Sequence, residues 1–218
     1  MALYPILLNL NNRTAVVVGG GLVALRKVRD LLDTGARITV IAPEVHPELK
    51  ALTLKQDRIV LEQRPYRAGD LDGAVLVFSC TDSHVVNRQV FEDAESCGIF
   101  INAADDPPNC SFFLPSFARR GDFILAVSTS GTSPALAARL RRTLEQAAPK
   151  NIDGLLDALK AARRLLLDNA AFSHLNSSQR GQILKTIVNS DEFLQELYYA
   201  YLHGTLAHCL LKHIRNTR

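Results

Sequence analysis

The stretch TAVVVGGGLVALRKVRDLL, residues 14–32, decides how the chain is read. Ala15 to Val18 is a short β-branched apolar run, the pattern of a strand buried on both faces. Three glycines follow, and apolar residues then recur with helical spacing at Val23, Leu25, Val28, Leu31 and Leu32, with Gly35 as the stop signal. Gly19, Gly21 and Ala24 therefore stand in a GxGxxA arrangement between a strand and a helix. Gly19 permits a tight turn, Gly21 carries no Cβ to obstruct a pyrophosphate, and the small Ala24 lets the helix pack close to the strand. Dinucleotide phosphates would rest against the free N–H groups and positive end of that helix. A plain strand-to-helix turn in a flavodoxin-like sheet is the competing reading; the spacing of the neighbouring elements favours the dinucleotide.

Residues 37–41, 58–62, 74–79 and 99–103 read as four more strands, with a helix over 85–96 ended by Gly98. Strands alternating with helices through short loops predict a parallel sheet covered on both faces. The pattern changes at residues 112–130, which read as two strands around the turn Arg119-Arg120-Gly121-Asp122. Ser133 is placed to cap a helix that starts at Pro134 and runs to about residue 147. Everything after Asn151 reads as helix: Ile152, Leu155, Leu156, Leu159, Ala162 and Leu166 form an apolar stripe, and Ser178 and Ser190 are further capping candidates. The expected architecture is a Rossmann-type α/β domain over 1–112, a β-hairpin and helix over 113–148, and a helical C-terminal domain over 149–218.

Apolar residues make up 47% of the 218 and charged residues 22%, which excludes disorder and a small disulfide-stapled scaffold. A net charge of +3 does not by itself imply nucleic acid. Cys80, Cys97, Cys110 and Cys209 form no CxxC pair, so a zinc ribbon is not expected; two disulfides are formally open to four cysteines, and a reduced, cytoplasmic protein is the preferred reading. No apolar stretch reaches the ~18 residues that a membrane span needs.

Three further loops should line the crevice at the strand ends. The second strand ends in Ala42-Pro43-Glu44, with no Arg there to meet a 2′-phosphate and Glu44 as the nearest acid, which favours NAD over NADP. Thr81 and Asp82, after the fourth strand, either contact the cofactor or cap the next helix. After the fifth strand, Asn102-Ala103-Ala104-Asp105-Asp106-Pro107-Pro108 sets two carboxylates in a stiff loop. A carboxylate beside a bound ring system is suited to taking a proton as hydride leaves; an Asp-Pro turn that only shapes the chain is the alternative.

Together these segments resemble the precorrin-2 dehydrogenase family, which includes the dehydrogenase/ferrochelatase module of bacterial siroheme synthase. The resemblance runs through YPILLNL, VVVGGGLVALRKVRDLLDTGARITVIAP, CTDSHVVNRQV, INAADDPPNCSFFLPS and AVSTSGTSPALAARLRRTLE, over about residues 3–146. It implies NAD-dependent oxidation of precorrin-2 to sirohydrochlorin, with Fe²⁺ as a further substrate in bifunctional relatives; the sequence leaves that second activity open. It also implies Asp105 as the acid/base residue, with Asp106 as second choice, and Leu22, Val23, Pro43 and Glu44 as cofactor contacts beside Gly19, Gly21, Ala42, Thr81 and Asp82. Asn102, Ser116, Ser128, Thr129 and Arg139 fall in matched segments and are the expected substrate contacts. Thr129 occupies the position at which some members carry a phosphoserine. The family forms homodimers through the middle segment.

Arg119, Arg120, Arg139, Arg141, Arg142, Lys160, Arg163 and Arg164 supply positive charge suited to steering a polycarboxylate, part of it being ordinary solvated helix surface. His203, His208 and His213 recur every five residues and so do not share a helix face, which argues against a metal site built from them. The rival functional class is a non-catalytic NAD(H)-sensing module, which has no use for the acidic loop. DNA binding by the basic tail lacks a recognition-helix motif.

Overall fold

The computed structural model describes residues 3–104 and 106–216, and the chain divides into two compact units, Met1–Leu114 and Pro115–Arg218. The first unit is a five-stranded parallel sheet in the order β3-β2-β1-β4-β5. Its strands are β1 (Thr14–Val18), β2 (Arg37–Ile41), β3 (Ile59–Glu62), β4 (Ala74–Ser79) and β5 (Phe100–Ala103). Helices α1 (Leu22–Leu32), α2 (Pro47–Thr53) and α3 (His84–Cys97) connect them. Alternate residues of β1 enter different cores, as a period of two requires. Ala15 and Val17 pack with Val28, Leu31 and Leu49 from α1 and α2, while Val16 and Val18 pack with Val90 and Ala94 from α3. The sheet is thus buried on both faces, which is why its strands read as continuous apolar runs.

Two sequence expectations shift. The chain leaves α1 through Asp33, and Gly35 lies in the turn beyond rather than at the helix end itself. Helix α2, only seven residues long, is an element that the apolar periodicity does not announce.

Between β3 and β4, Arg64 donates two hydrogen bonds to the Asp70 carboxylate, each 2.8 Å, and the Arg67 backbone N–H donates a third of 2.8 Å. The Asp70 side chain is only 11% exposed. The Arg64 hydrogen bond, chiefly, holds this carboxyl below its ordinary value of 3.8. A carboxyl with a depressed folded-state pKa stabilises the fold in full above its unfolded pKa, and the contribution fades as pH falls through the lower folded value. Asp70→Asn is expected to destabilise the unit by about 1.5–3 kcal/mol at neutral pH. Thermal melts of the variant and the parent should converge as the pH is lowered below 3.8.

The second unit opens with an antiparallel hairpin, β6 (Ser116–Arg120) and β7 (Phe123–Val127), and continues through α4 (Pro134–Ala147). The bundle α5 (Ile152–Asp168), α6 (Ser177–Val188), α7 (Asp191–Leu202) and α8 (Leu206–Asn216) follows. Leu155, Ala158, Ala162 and Leu166 are the buried register of α5. Ser133 and Ser190 cap α4 and α7 as expected. Ser178 does not cap α6: Asn176 does, through a reciprocal capping box with Gln179. Among the described residues, no helix is long and apolar enough to cross a membrane.

Candidate functional site

Parallel strands deliver their following loops to one edge of the sheet, and here hydrogen bonds tie those loops side by side. Gly19 N–H donates to Ile41 O at 2.8 Å, Cys80 N–H to Val18 O at 2.7 Å, and Ala104 N–H to Ser79 O at 2.8 Å. The glycine loop, the Ala42-Pro43-Glu44 turn, the Cys80-Thr81-Asp82 loop and the start of the acidic loop thus share the carboxyl edge.

The three glycines are required for different reasons. Gly19 has φ +121°, and a Cβ there would lie 2.3 Å from the Cys80 carbonyl oxygen. A Cβ on Gly20 would lie 2.0 Å from the Glu44 carbonyl oxygen, and Gly20 O also accepts the His46 N–H at 2.8 Å. Both residues are therefore fixed by the protein's own backbone. Gly21 differs: among the described residues, a Cβ there would meet nothing within 4 Å beyond its own chain neighbours and helix backbone. Gly21 is the N-cap of α1 and, being glycine, offers no capping side chain, and the first turn carries no acidic residue. Free N–H groups with the positive end of an eleven-residue helix behind them suit an anion. Leu22 is exposed at this end, Val23 is half-buried, and Ala24 is fully buried against the sheet. Pro43 and Glu44 are exposed, and Ala42 is buried.

Behind the loop lies a group the motif did not announce. Lys27 is buried, with Nζ 5.1 Å from the centre of the Phe78 ring. Burial lowers the Lys27 pKa, and burial pushes the Cys80 thiol up to about 11. Cys80 is therefore a neutral thiol at pH 7, a wall residue rather than a nucleophile. The buried Asn87 accepts from Ser79 Oγ at 2.7 Å and donates to Thr81 O at 3.0 Å. Thr81 Oγ1 lies 2.8 Å from Asn87 Oδ1 and accepts the Ser83 N–H at 3.2 Å. The cap of α3 is Ser83, so Thr81 shapes the loop, and Asp82 stands exposed beside it.

Asp105 lies outside the described residues. The other acid of the pair, Asp106, accepts a 2.7 Å hydrogen bond from Asn109 Nδ2 and precedes a single 3₁₀ turn at Pro107–Asn109. Cys110 Sγ accepts from Ala103 N–H at 3.2 Å and lies 3.3 Å from both Ala103 O and Asp106 O. Ile101 N–H donates to Ser111 Oγ at 2.8 Å, and the Ser111 and Phe112 N–H groups both donate to Ile101 O. Asn102 Nδ2 donates to Phe112 O at 3.1 Å, so its amide closes the base of the loop.

The remaining expected contacts belong to the second unit. Ser116 opens β6 opposite Val127. Ser128 is exposed, and its Oγ accepts from Ser130 N–H at 3.1 Å. Thr129 Oγ1 accepts from Ser133 N–H at 3.0 Å and sits 3.1 Å from Ser133 O, so this hydroxyl braces the turn into α4. Arg139 and Arg142 are exposed on α4, as are Arg119, Arg163 and Arg164 elsewhere. Three of the other basic residues have structural partners. Arg120 packs over Phe123 and donates to Pro149 O, Arg141 pairs with Glu145, and Lys160 pairs with Asp122 and Asp157.

Comparison with known proteins agrees with the fold. The family described as "Putative NAD(P)-binding" matches residues 6–116, and the one described as "Sirohaem biosynthesis protein central" matches residues 125–147. Siroheme synthase 1 of Aeromonas salmonicida is 37% identical over 199 residues, covering 90% of this chain and 41% of that protein. The siroheme synthase of Methylobacillus flagellatus is 42% identical over 149 residues, covering 68% and 32%. This chain therefore spans less than half the length of these relatives. Among solved structures, "SirC, precorrin-2 dehydrogenase" superposes with a TM-score of 0.75 at 24% identity, covering 98% of this chain and all of that one, and shares the fold.

Proposed function

The chain belongs to the NAD(P)-binding family that matches residues 6–116, and on that premise we propose that it oxidises precorrin-2 to sirohydrochlorin with NAD⁺. The observation that carries this reading is the open cradle at Gly21 on the same sheet edge as the acidic loop. Bound NAD⁺ supplies a hydride acceptor. The chain's own residues hold the phosphates on the α1 N-terminus, form the crevice wall with Thr81 and Asp82, and move a proton at Asp105. Precorrin-2 loses one hydride and one proton, giving NADH and H⁺.

Asp105 is the better of the two acids for this role, since the Asp106 carboxylate is engaged by Asn109. NAD is preferred over NADP because the Glu44 backbone packs against the glycine loop, bringing an acid rather than an arginine to the end of β2. Asn102 of the first unit and, separately, Ser116, Ser128, Thr129 and Arg139 of the second are the proposed substrate contacts, and the exposed arginines of the second unit supply charge that attracts a polycarboxylate. Exposed apolar side chains on the hairpin and α4 (Phe117, Ile124, Leu136, Leu140 and Leu144) support a homodimer formed through this segment. The setting proposed is cytoplasmic, and Fe²⁺ is a substrate if chelation follows.

Anaerobic turnover tests the reading. Precorrin-2 should drive NADH formation, and NAD⁺ should give at least about tenfold higher kcat/KM than NADP⁺, a difference of 1.4 kcal/mol. Dinucleotide binding without tetrapyrrole-dependent NADH would overturn it in favour of a sensing module. A second arm supplies Fe²⁺ or Co²⁺ to sirohydrochlorin and follows the macrocycle spectrum.

A further inference from the structure

Away from the nucleotide unit, the helical bundle gathers three side chains of metal-ligand type. Cys209 and His213 are four residues apart on α8 and so share a face of that helix. Glu196 comes from α7, against which α8 packs. One ligand atom from each of the three lies within 4.8 Å of the other two. Cys209 and His213 are only 5% and 6% exposed. The His213 ring is fixed edge-on against Phe193 at 4.4 Å between centroids, with Nε2 3.4 Å from Glu196 Oε2. The other carboxylate oxygen, Oε1, accepts a 2.7 Å hydrogen bond from Lys212 Nζ, which orients the carboxylate without using Oε2. His203 and His208 take no part: His203 stacks on Tyr199 at 3.9 Å, and His208 is exposed.

We propose that Glu196, Cys209 and His213 form a three-ligand site for a borderline-soft divalent transition metal of the zinc class, stapling α7 to α8. The donor set selects the ion. One sulfur, one imidazole nitrogen and one carboxylate oxygen suit zinc or cobalt and do not suit magnesium or calcium, which take oxygen. A dication offsets one thiolate and one carboxylate, the thiol proton leaving to solvent as the metal binds, and the Lys212 ammonium on Oε1 remains as one outer positive charge. Metal–ligand bonds of about 2.0–2.3 Å set tetrahedral ligand edges of about 3.3–3.8 Å. The set therefore needs to close by about an ångström, within reach of side-chain rotation on two packed helices. Three protein ligands leave a fourth position for water.

Cobalt(II) is the probe, titrated anaerobically into the full chain after chelator treatment, with no dinucleotide or tetrapyrrole present, so the result is independent of the proposed reaction. One ion per chain should bind at micromolar concentration, with a near-ultraviolet thiolate-to-cobalt band and intense visible bands of four-coordinate geometry. Zinc should displace it and raise the Tm of the parent chain. Cys209→Ser should abolish the thiolate band, and Cys97→Ser, at an exposed position, should leave it intact. Glu196→Gln, on the wetter side of the site, should keep that band while weakening affinity at least about tenfold. A thiolate band unchanged in Cys209→Ser, or no stoichiometric binding at micromolar cobalt, overturns the proposal. If Cys209→Ser does not fold, unchanged affinity in Glu196→Gln overturns it.

Discussion

Asp105→Ala is expected to lower kcat for precorrin-2 oxidation by about 10²–10⁴-fold, the range for losing a general acid or base, with dinucleotide affinity unchanged. Two neighbouring carboxylates open the sequence Asp105-Asp106-Pro107-Pro108, and the second is already held by Asn109. Asp106→Ala should therefore disturb the 3₁₀ turn and raise KM more than it lowers kcat. Single-turnover NADH formation separates the two variants. An Asp105→Ala enzyme within about tenfold of the parent would remove the carboxylate from the chemistry, since general acid–base catalysis contributes at least about 10²-fold.

Alanine at each of the three loop glycines should produce two different phenotypes. Gly19→Ala and Gly20→Ala drive a methyl group into the Cys80 and Glu44 carbonyl oxygens, at 2.3 Å and 2.0 Å. Such overpacking costs about 1–3 kcal/mol or more, and Gly19 adds the strain of a positive φ. Both variants should melt well below the parent. Among the described residues, Gly21→Ala meets nothing within 4 Å beyond its own chain neighbours and helix backbone, so its melting temperature should hold. Its methyl group instead obstructs the anion cradle. Losing charge-assisted bonds worth about 1.5–3 kcal/mol corresponds to about 10–100-fold weaker NADH binding. Melts followed by circular dichroism and NADH fluorescence titrations distinguish these outcomes. A stable Gly20→Ala, or a Gly21→Ala with parental affinity, contradicts the account of the loop.

Much of this architecture was readable from local pattern. β2 and β4 fall on the expected residues and β1 starts one residue earlier, because a strand buried on both faces is a continuous apolar run. The hairpin and α4 were legible through the Gly121-Asp122 turn and the Ser133-Pro134 start. Helix α2 was not, since seven residues are too few for a helical period to register. Ser178 was displaced as a cap by Asn176, whose bond to Gln179 is reciprocal.

The site shows the same division. The GxGxxA spacing identified Gly19 and Gly21, but the demand on Gly20 comes from the Glu44 carbonyl at the end of another strand. Lys27 and Phe78 meet across fifty-one positions, and Glu196 meets Cys209 and His213 across two helices. Contacts of that separation follow from topology, which no local period encodes.

β5 stands at the outer margin of the sheet, where a row of unpaired amides would ordinarily invite a foreign strand to dock. Residues 111 and 112 return along that margin and occupy the Ile101 amide and carbonyl. The same return closes the neck of the acidic loop. Fibril-like growth from this flank would therefore have to peel away the segment that holds the loop shut, so resistance to polymerisation and the integrity of the acidic loop rest on the same few bonds.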